Sequence, residues 1–469
     1  MSTAPASAPP LPEIRDAYPP LALSGAPGDL LTAKKLRVWG AKSAYSLIDQ
    51  GLTSLTGFCV SFLLARWMPP EVYGAYAIAF AVYLFVCGFH NVIVLEPMSV
   101  IGPARHASRL HRYFRAQVEV HAVLVGILSV MAALAGAIVW RALPHSPLVG
   151  AILGSALALP FLLFLWLVRR MCYVLQRPPA AILGSGSCLL SVLIGLYALR
   201  YLDRLTPFSA FLLIGSGSLL GSCVMLRQIR GSAQRGSSCA PVAWLAALRE
   251  NWSYGRWLVG STILYSVSGQ VQMFLAAAFL GLGAAGVLRA MMLPASVMTQ
   301  VVCAIDLLIL PGFSYDFGCG AIHRMRQKAV LVSGALLGLG LCFAALLWLV
   351  SGRAEHILFG AKFAAYAWLM PILALIPAAN GFTVGFSTSL RASQRPHFSL
   401  LANAIAAPVA VVSALFFIRW WGLAGAAASM VTGFAMSMGV NCWLFYATPH
   451  PVVAALPTRQ LETATPPQP

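Results

Sequence analysis

The sequence predicts an all-α integral membrane protein with about 12 transmembrane helices in two pseudo-symmetric six-helix bundles. Three observations lead there. Charged residues make up 9% of the 469-residue chain and hydrophobic ones 59%, at a mean hydropathy of +0.80. A soluble chain of this length carries about 25% charged residues, so most of this surface must face lipid. Apolar runs of spanning length recur between short polar breaks. Basic residues concentrate in alternate breaks, as the positive-inside rule requires.

In order, the spans fall near 44–66, 74–97, 117–140, 148–168, 180–200 and 207–229, then near 256–280, 285–311, 328–350, 364–390, 398–419 and 421–446. Residues 1–40, rich in Pro, Ala and Ser, read as a disordered cytosolic tail. Residues 231–255 read as a cytosolic linker and 448–469 as a second tail. The two bundles are then 41–230 and 256–447. With the N-terminus inside, inside segments hold 23 of the 31 Lys and Arg, outside loops hold seven, and Arg289 lies within span 8. A missed or invented span would scramble that alternation, so both termini are expected in the cytoplasm. The net charge of +18 is thereby absorbed by topology, and no nucleic-acid partner is expected. The loop "RHASRLHRYFR" also suits anionic lipid headgroups.

Spans 1 and 2 are joined by "FLLARWMPPEVYGAYAIA" (62–79), and spans 7 and 8 by "FLAAAFLGLGAAGVLRAM" (274–291). At an offset of 212, Phe62 meets Phe274, Leu63 meets Leu275, Ala65 meets Ala277 and Gly74 meets Gly286. Both hairpins lie outside and have the same parity. Two halves related by an axis along the membrane normal leave that trace, an arrangement typical of transporters. The glycines suit a tight turn into a helix that packs close to its partner. Arg66 and Glu71 read as a rim pair in water.

The stretch "LIDQGLTSLTGFCVSFLLARWMPPEVYGAYAIAF" resembles the opening of Wzx-type polysaccharide flippases of the multidrug/oligosaccharidyl-lipid/polysaccharide (MOP) exporter superfamily. "VLEPMSV", "ILFGAKFAAYAWLMPILAL" and "RWWGLAGAAASMVTGF" resemble later junctions of that family, and the likeness spans most of 40–446. It implies two MATE/MOP-like bundles around a central cavity, alternating access, and a place in a bacterial inner membrane. The implied cargo is an undecaprenyl-diphosphate-linked oligosaccharide for exopolysaccharide or O-antigen assembly. Membrane lipids, a polysaccharide polymerase and glycosyltransferases are the implied partners. Two other readings stand beside it: a cation-coupled multidrug exporter of the same superfamily, and a non-transporting scaffold for polysaccharide assembly enzymes.

No enzyme signature is present: no G-x-x-x-x-G-K-[ST], no H-E-x-x-H and no G-x-S-x-G. Without an ATP cradle, and with no cofactor expected, uphill work needs an ion gradient, H+ or Na+, the membrane potential, or consumption of the product outside. The ten cysteines form no C-x-x-C pair, and those inside apolar runs act as small hydrophobes. Ionisable groups in or near spans are the pointers to function, because a charge in hydrocarbon is costly. Asp49, Glu96 and Asp306, near the inner ends of spans 1, 2 and 8, are candidates for coupling or gating. Asp49 and Glu96 would share a proton or close a gate with Arg105 or Arg37; Glu96-Pro97 otherwise simply ends span 2. Glu119 and His121 read as helix-end groups. His90, Asn91, Gln270, Gln272, Arg289 and Asn380 are the candidate substrate and cavity residues. Arg289 either snorkels outward or binds a pyrophosphate through its charge and fork geometry. The amides either bind sugar hydroxyls or tie helices together. Tyr76, Tyr83 and Tyr265 either stack on sugar or pack the core. Trp67, Trp140, Trp420 and Trp421 read as the interfacial belt. Pro160, Pro294, Pro371, Pro377 and Pro408 predict kinks, with span 10 as the bending element.

Overall fold

The computed structural model describes residues 33–106, 109–230, 242–393 and 397–447. Residues 1–32 and 448–469 of the expected tails, and 231–241 of the expected link, lie outside them. Residues 33–40, assigned to a tail by composition, begin the first helix, and 244–255, assigned to the link, begin the eighth.

The N-terminal bundle comprises α1 (Ala33–Trp67), α2 (Pro70–His90), α3 (Glu96–Arg105), α4 (Leu110–Ala142), α5 (Pro147–Val174), α6 (Pro178–Tyr201) and α7 (Pro207–Arg230). A π-helical turn, Asn91–Leu95, joins α2 to α3, so span 2 is one long broken helix. Pro97 therefore does not end it. The proline follows the π turn within the continuous span, where its missing N–H denies a helical donor to that turn's carbonyls. Pro70, Pro147, Pro178 and Pro207 instead stand at true helix starts, where a missing N–H costs nothing.

The C-terminal bundle comprises α8 (Trp244–Leu280), α9 (Leu282–Met291), α10 (Leu293–Gly318), α11 (Ile322–Phe359), α12 (Leu369–Leu373), α13 (Leu375–Ala392) and α14 (His397–Ala447). Span 8 is split into α9 and α10. Span 10 is split at Ala374, between Pro371 and Pro377, where a bend was expected. Among the described residues, eleven helices are long and apolar enough to cross a membrane. The last carries two spans, because Gly422 (φ 58°, ψ −129°) reverses the chain inside α14. Twelve crossings in two bundles result.

Within the N-terminal bundle α5 packs on α7 and α1 on α6; within the C-terminal bundle α8 packs on α14 and α11 on α13. Across the bundles, α2 packs on α9 and on α8. The apolar core runs through both bundles at the end that carries the two repeated hairpins, from Leu64, Tyr73 and Tyr76 to Leu288, Met291 and Met370.

Candidate functional site

The seam begins at the two repeated hairpins, on the end that the basic residues assign as outer. Gly74 on α2 and Gly286 on α9, equivalent in the repeat, lie against each other across it. A Cβ on Gly74 would stand 1.8 Å from the Leu282 carbonyl oxygen. One on Gly286 would stand 2.2 Å from the Pro70 carbonyl oxygen and 3.0 Å from the Gly74 nitrogen. Only two bare backbones permit that approach. The repeat thus marks the place where the halves touch.

Two cations clamp the same end. Lys362 Nζ donates to the carbonyls of Ala65 (3.1 Å), Arg66 (2.7 Å) and Met68 (2.8 Å), at the end of α1. Arg66 Nη1 donates in return to the carbonyls of Ile357 (2.7 Å) and Leu358 (3.1 Å), at the end of α11. Helix ends leave carbonyls unpaired and carry partial negative charge, so each bundle caps a helix of the other. Burial, then the charges of Arg200 and Arg66, pull the Lys362 pKa below the usual lysine value; the three carbonyls offset that cost. Arg66 is therefore occupied with the other bundle, not with Glu71 as the sequence reading had it. Replacing Lys362 by Met should loosen the outer end by about 1.5–3 kcal/mol, the worth of a hydrogen bond to a charged group. Spin-label distances across the seam should broaden, and Arg353→Met, on an exposed side chain, should leave them unchanged.

Beneath this closure lies Arg289. Its guanidinium does not snorkel outward. It turns onto the ring of Phe80, 4.8 Å from the centroid, close enough to Tyr73 and Tyr76 for its charge to be felt. Arg289 Nε, the Tyr73 hydroxyl and the Ser61 hydroxyl are all buried without a well-formed hydrogen bond; Tyr73 faces Arg289 and Ser61 faces Tyr76 at longer range. Buried polar atoms are rarely left so. A donor-rich spot between the bundles can accept an anionic oxygen. Tyr73 and Ser61 were not singled out from the sequence, where both look like ordinary span residues. Tyr76 and Tyr83 are buried, whereas Tyr265 is exposed.

The other candidate ionisable groups lie away from the repeated hairpins. Asp49 is fully buried. Arg169 Nε donates to its Oδ2 at 2.6 Å, the Tyr173 hydroxyl donates to the same oxygen, and Ser185 Oγ donates to Oδ1 at 2.6 Å. Arg169 Nη2 also reaches Gln50 Oε1 at 2.9 Å, and the guanidinium stacks over Trp166. Arg169 and Arg170 follow directly on the expected end of span 4 near 168. They belong instead to the last turns of α5, which runs on to Val174. Arg170 donates to Asn91 Oδ1 at 3.3 Å, in the π turn, and is the charge facing Glu96. Asp49 and Glu96 do not form the expected pair. Each faces its own arginine.

His90 is buried at the start of the π turn, its Nε2 3.0 Å from His121 Nδ1. His121 is thus a bundle residue rather than a helix-end group, whereas Glu119 meets Arg115 on the surface at 3.5 Å. In the C-terminal bundle Asp306 accepts from Arg391 (2.7 and 2.8 Å) and from the Thr388 hydroxyl. Gln272 is fully buried between α8 and α14, with neither amide atom bonded, so it faces the bundle interior. Gln270 and Asn380 are half-buried. Ser54 on α1 donates to Gln300 on α10 at 3.0 Å, a polar bridge between bundles at exposed positions. Among the described residues no three His, Cys, Asp or Glu side chains gather as a metal site.

No family model matches the chain, and no curated protein matches it by sequence. Solved structures do. The chain overlays a multidrug resistance MATE family transporter of the MOP superfamily in its inward-facing conformation with a TM-score of 0.70, at 12% identity, over 84% of this chain and 94% of that one. An outward-facing conformation of such a transporter gives 0.56, at 15% identity, over 86% and 94%. The lipid II flippase MurJ, in an inward closed conformation, gives 0.57, at 12% identity, over 87% and 88%. At these identities the likeness concerns the fold: two six-helix bundles of the MATE/MOP kind.

Proposed function

We propose that the chain is a multi-pass membrane transporter working by alternating access, and that its cargo is a lipid-linked oligosaccharide carried on undecaprenyl diphosphate. The closed outer seam carries the first part. It is held by two glycine backbones in contact, by helix-end caps and by the apolar packing of α2 on α9, all of which join one bundle to the other. The higher overlay on an inward-facing relative supports the same state. The protein would sit in a bacterial inner membrane with both termini in the cytoplasm. An H+ or Na+ gradient, or consumption of product by a polymerase and glycosyltransferases outside, would drive it.

Charge supports the cargo. Asp49 and Asp306 are each ion-paired to an arginine and Glu96 faces one, while Arg289 has no carboxylate within ion-pair distance among the described residues. The seam is therefore mixed to basic, which suits a diphosphate better than an organic cation.

The second reading is cation-coupled multidrug export, which the higher overlay on a MATE structure than on MurJ favours. One pair of measurements separates them. Arg289→Gln should make lipid-linked oligosaccharide build up on the inner leaflet, with flux down more than about tenfold, as expected when a buried charge-assisted contact is lost. Arg353→Gln should not. If flux is untouched and proteoliposomes instead extrude ethidium against a cation gradient, the drug reading replaces the first. If output depends on the protein's presence but on no seam residue, a scaffold role remains.

A further inference from the structure

We propose a second binding site, for a saccharide, on the outer face of the N-terminal bundle. A cavity of about 750 Å³ opens there among the loops joining α1 to α2, α4 to α5 and α6 to α7. That volume suits a small organic ligand. Every lining residue belongs to the N-terminal bundle, so the cavity keeps its shape while the bundles rock. It shares Pro69 and Val72 with the groove above the closed seam, and so adjoins the place where a cargo head would emerge.

Its lining combines flat apolar faces with paired hydrogen-bonding groups. Trp67 is held by an edge-on contact with Tyr197 at 5.1 Å and 73°. Trp140, across the cavity, is 61% exposed. Arg200 and Asp203 stand side by side, 3.6 Å apart and open to water. Asp203 is held in the left-handed region (φ 51°), where a residue with a side chain is strained. Bonds from the Asp203 nitrogen to the Arg200 carbonyl (3.2 Å) and from the Arg204 nitrogen to the Leu199 carbonyl (2.9 Å) close the end of α6 around it. His145 and Thr206 complete the polar rim.

A pyranose has an apolar C–H face, which rests on an indole ring, and adjacent hydroxyls, which a carboxylate and a guanidinium bind together. Asp203 offsets Arg200 within the cavity, while Lys362, close enough to Arg200 for its charge to be felt, keeps the surroundings cationic. A small inorganic anion would leave the indole faces unused, and a purely apolar ligand would leave the polar rim unused. A neutral or acidic oligosaccharide uses both.

The source of such a sugar rests on the cargo proposed above; the binding itself does not. The test is saturation-transfer NMR on the full chain in phospholipid nanodiscs, with maltotetraose, chitotetraose and tetragalacturonate in turn. At least one should receive saturation. Trp140→Ala and Asp203→Asn should each cut that signal at least fivefold. Trp140→Phe should keep most of it, and Trp420→Ala, an exposed belt residue in the other bundle, should leave it unchanged. Saturation of none of the three overturns the site. So does a signal that survives both substitutions or falls equally with Trp420→Ala, which would make these tryptophans interfacial anchors only. If inner-leaflet oligosaccharide fails to build up in Arg289→Gln while sugar binding at Trp140 persists, the cargo reading fails and the site stands. The converse result removes the site alone.

Discussion

Gly74→Ala should abolish closure of the outer end and reduce transport on the order of 100-fold, whereas Gly51→Ala should be harmless. The added atom is the same; the surroundings differ. At Gly51 nothing lies within 4 Å of the new methyl, and a helical Gly→Ala change gains about 0.5–1 kcal/mol. At Gly74 the methyl would lie 1.8 Å from a backbone oxygen on the other bundle. No rotamer relieves that overlap, because neither partner is a side chain. The helices must part, and with them go the apolar contacts of α2 on α9. Reversing a 99:1 preference takes about 5.5 kcal/mol, and losing a packed helix contact is of that order. Spin labels at Glu71→Cys and Tyr366→Cys, on exposed side chains flanking the seam, should move apart by several ångströms. Gly286→Ala should give the same result, since the two glycines meet each other. An unchanged distance and unchanged flux in Gly74→Ala would show that the seam is not the moving surface.

That expectation was half legible in the sequence. The 212-residue offset picked out Gly74 and Gly286 as equivalent, and equivalence about an axis between the halves is what brings them together. The span count was legible for a similar reason: charge alternation constrains twelve crossings jointly. Other features were hidden. The stretch "NVIVL" reads as continuous helix, because one extra residue in a π turn leaves composition and hydropathy unchanged. Arg169-Arg170 looked like the end of a span, because hydropathy scores a charge as an exit without knowing whether an acid waits inside. The acid is Asp49, 120 positions earlier. That distance is set by how α1, α5 and α6 pack, which no local window contains. Arg289 shows the same limit from the other side. Its direction depends on Phe80, which the packing of α2 on α9 supplies.

Asp49→Asn should destabilise the N-terminal bundle by about 3–5 kcal/mol, and Asp49→Asn with Arg169→Gln should recover most of the loss. The carboxylate joins three helices: its own on α1, Arg169 and Tyr173 on α5, and Ser185 on α6. An amide has one oxygen for donors that now use two, and it leaves the Arg169 side chain, 8% exposed, charged and unpaired. An orphaned buried charge accounts for a loss of that size; removing both charges leaves two amides able to bond to each other and to Gln50. The same pair of variants separates pinning from ion coupling. If Asp49 takes up and releases the coupling ion, Asp49→Asn should stop gradient-driven flux at unchanged thermal stability, and the Arg169 change should not rescue it. If Asp49 pins the bundle, stability and flux should fall together and return together in the double variant. The geometry favours pinning, because Oδ1 accepts from Ser185 and Oδ2 accepts from both Arg169 and Tyr173. A coupling cation would have to displace a guanidinium already 2.6 Å away and stacked on Trp166. Thermal unfolding of the three proteins in one detergent, beside flux in proteoliposomes, measures both quantities.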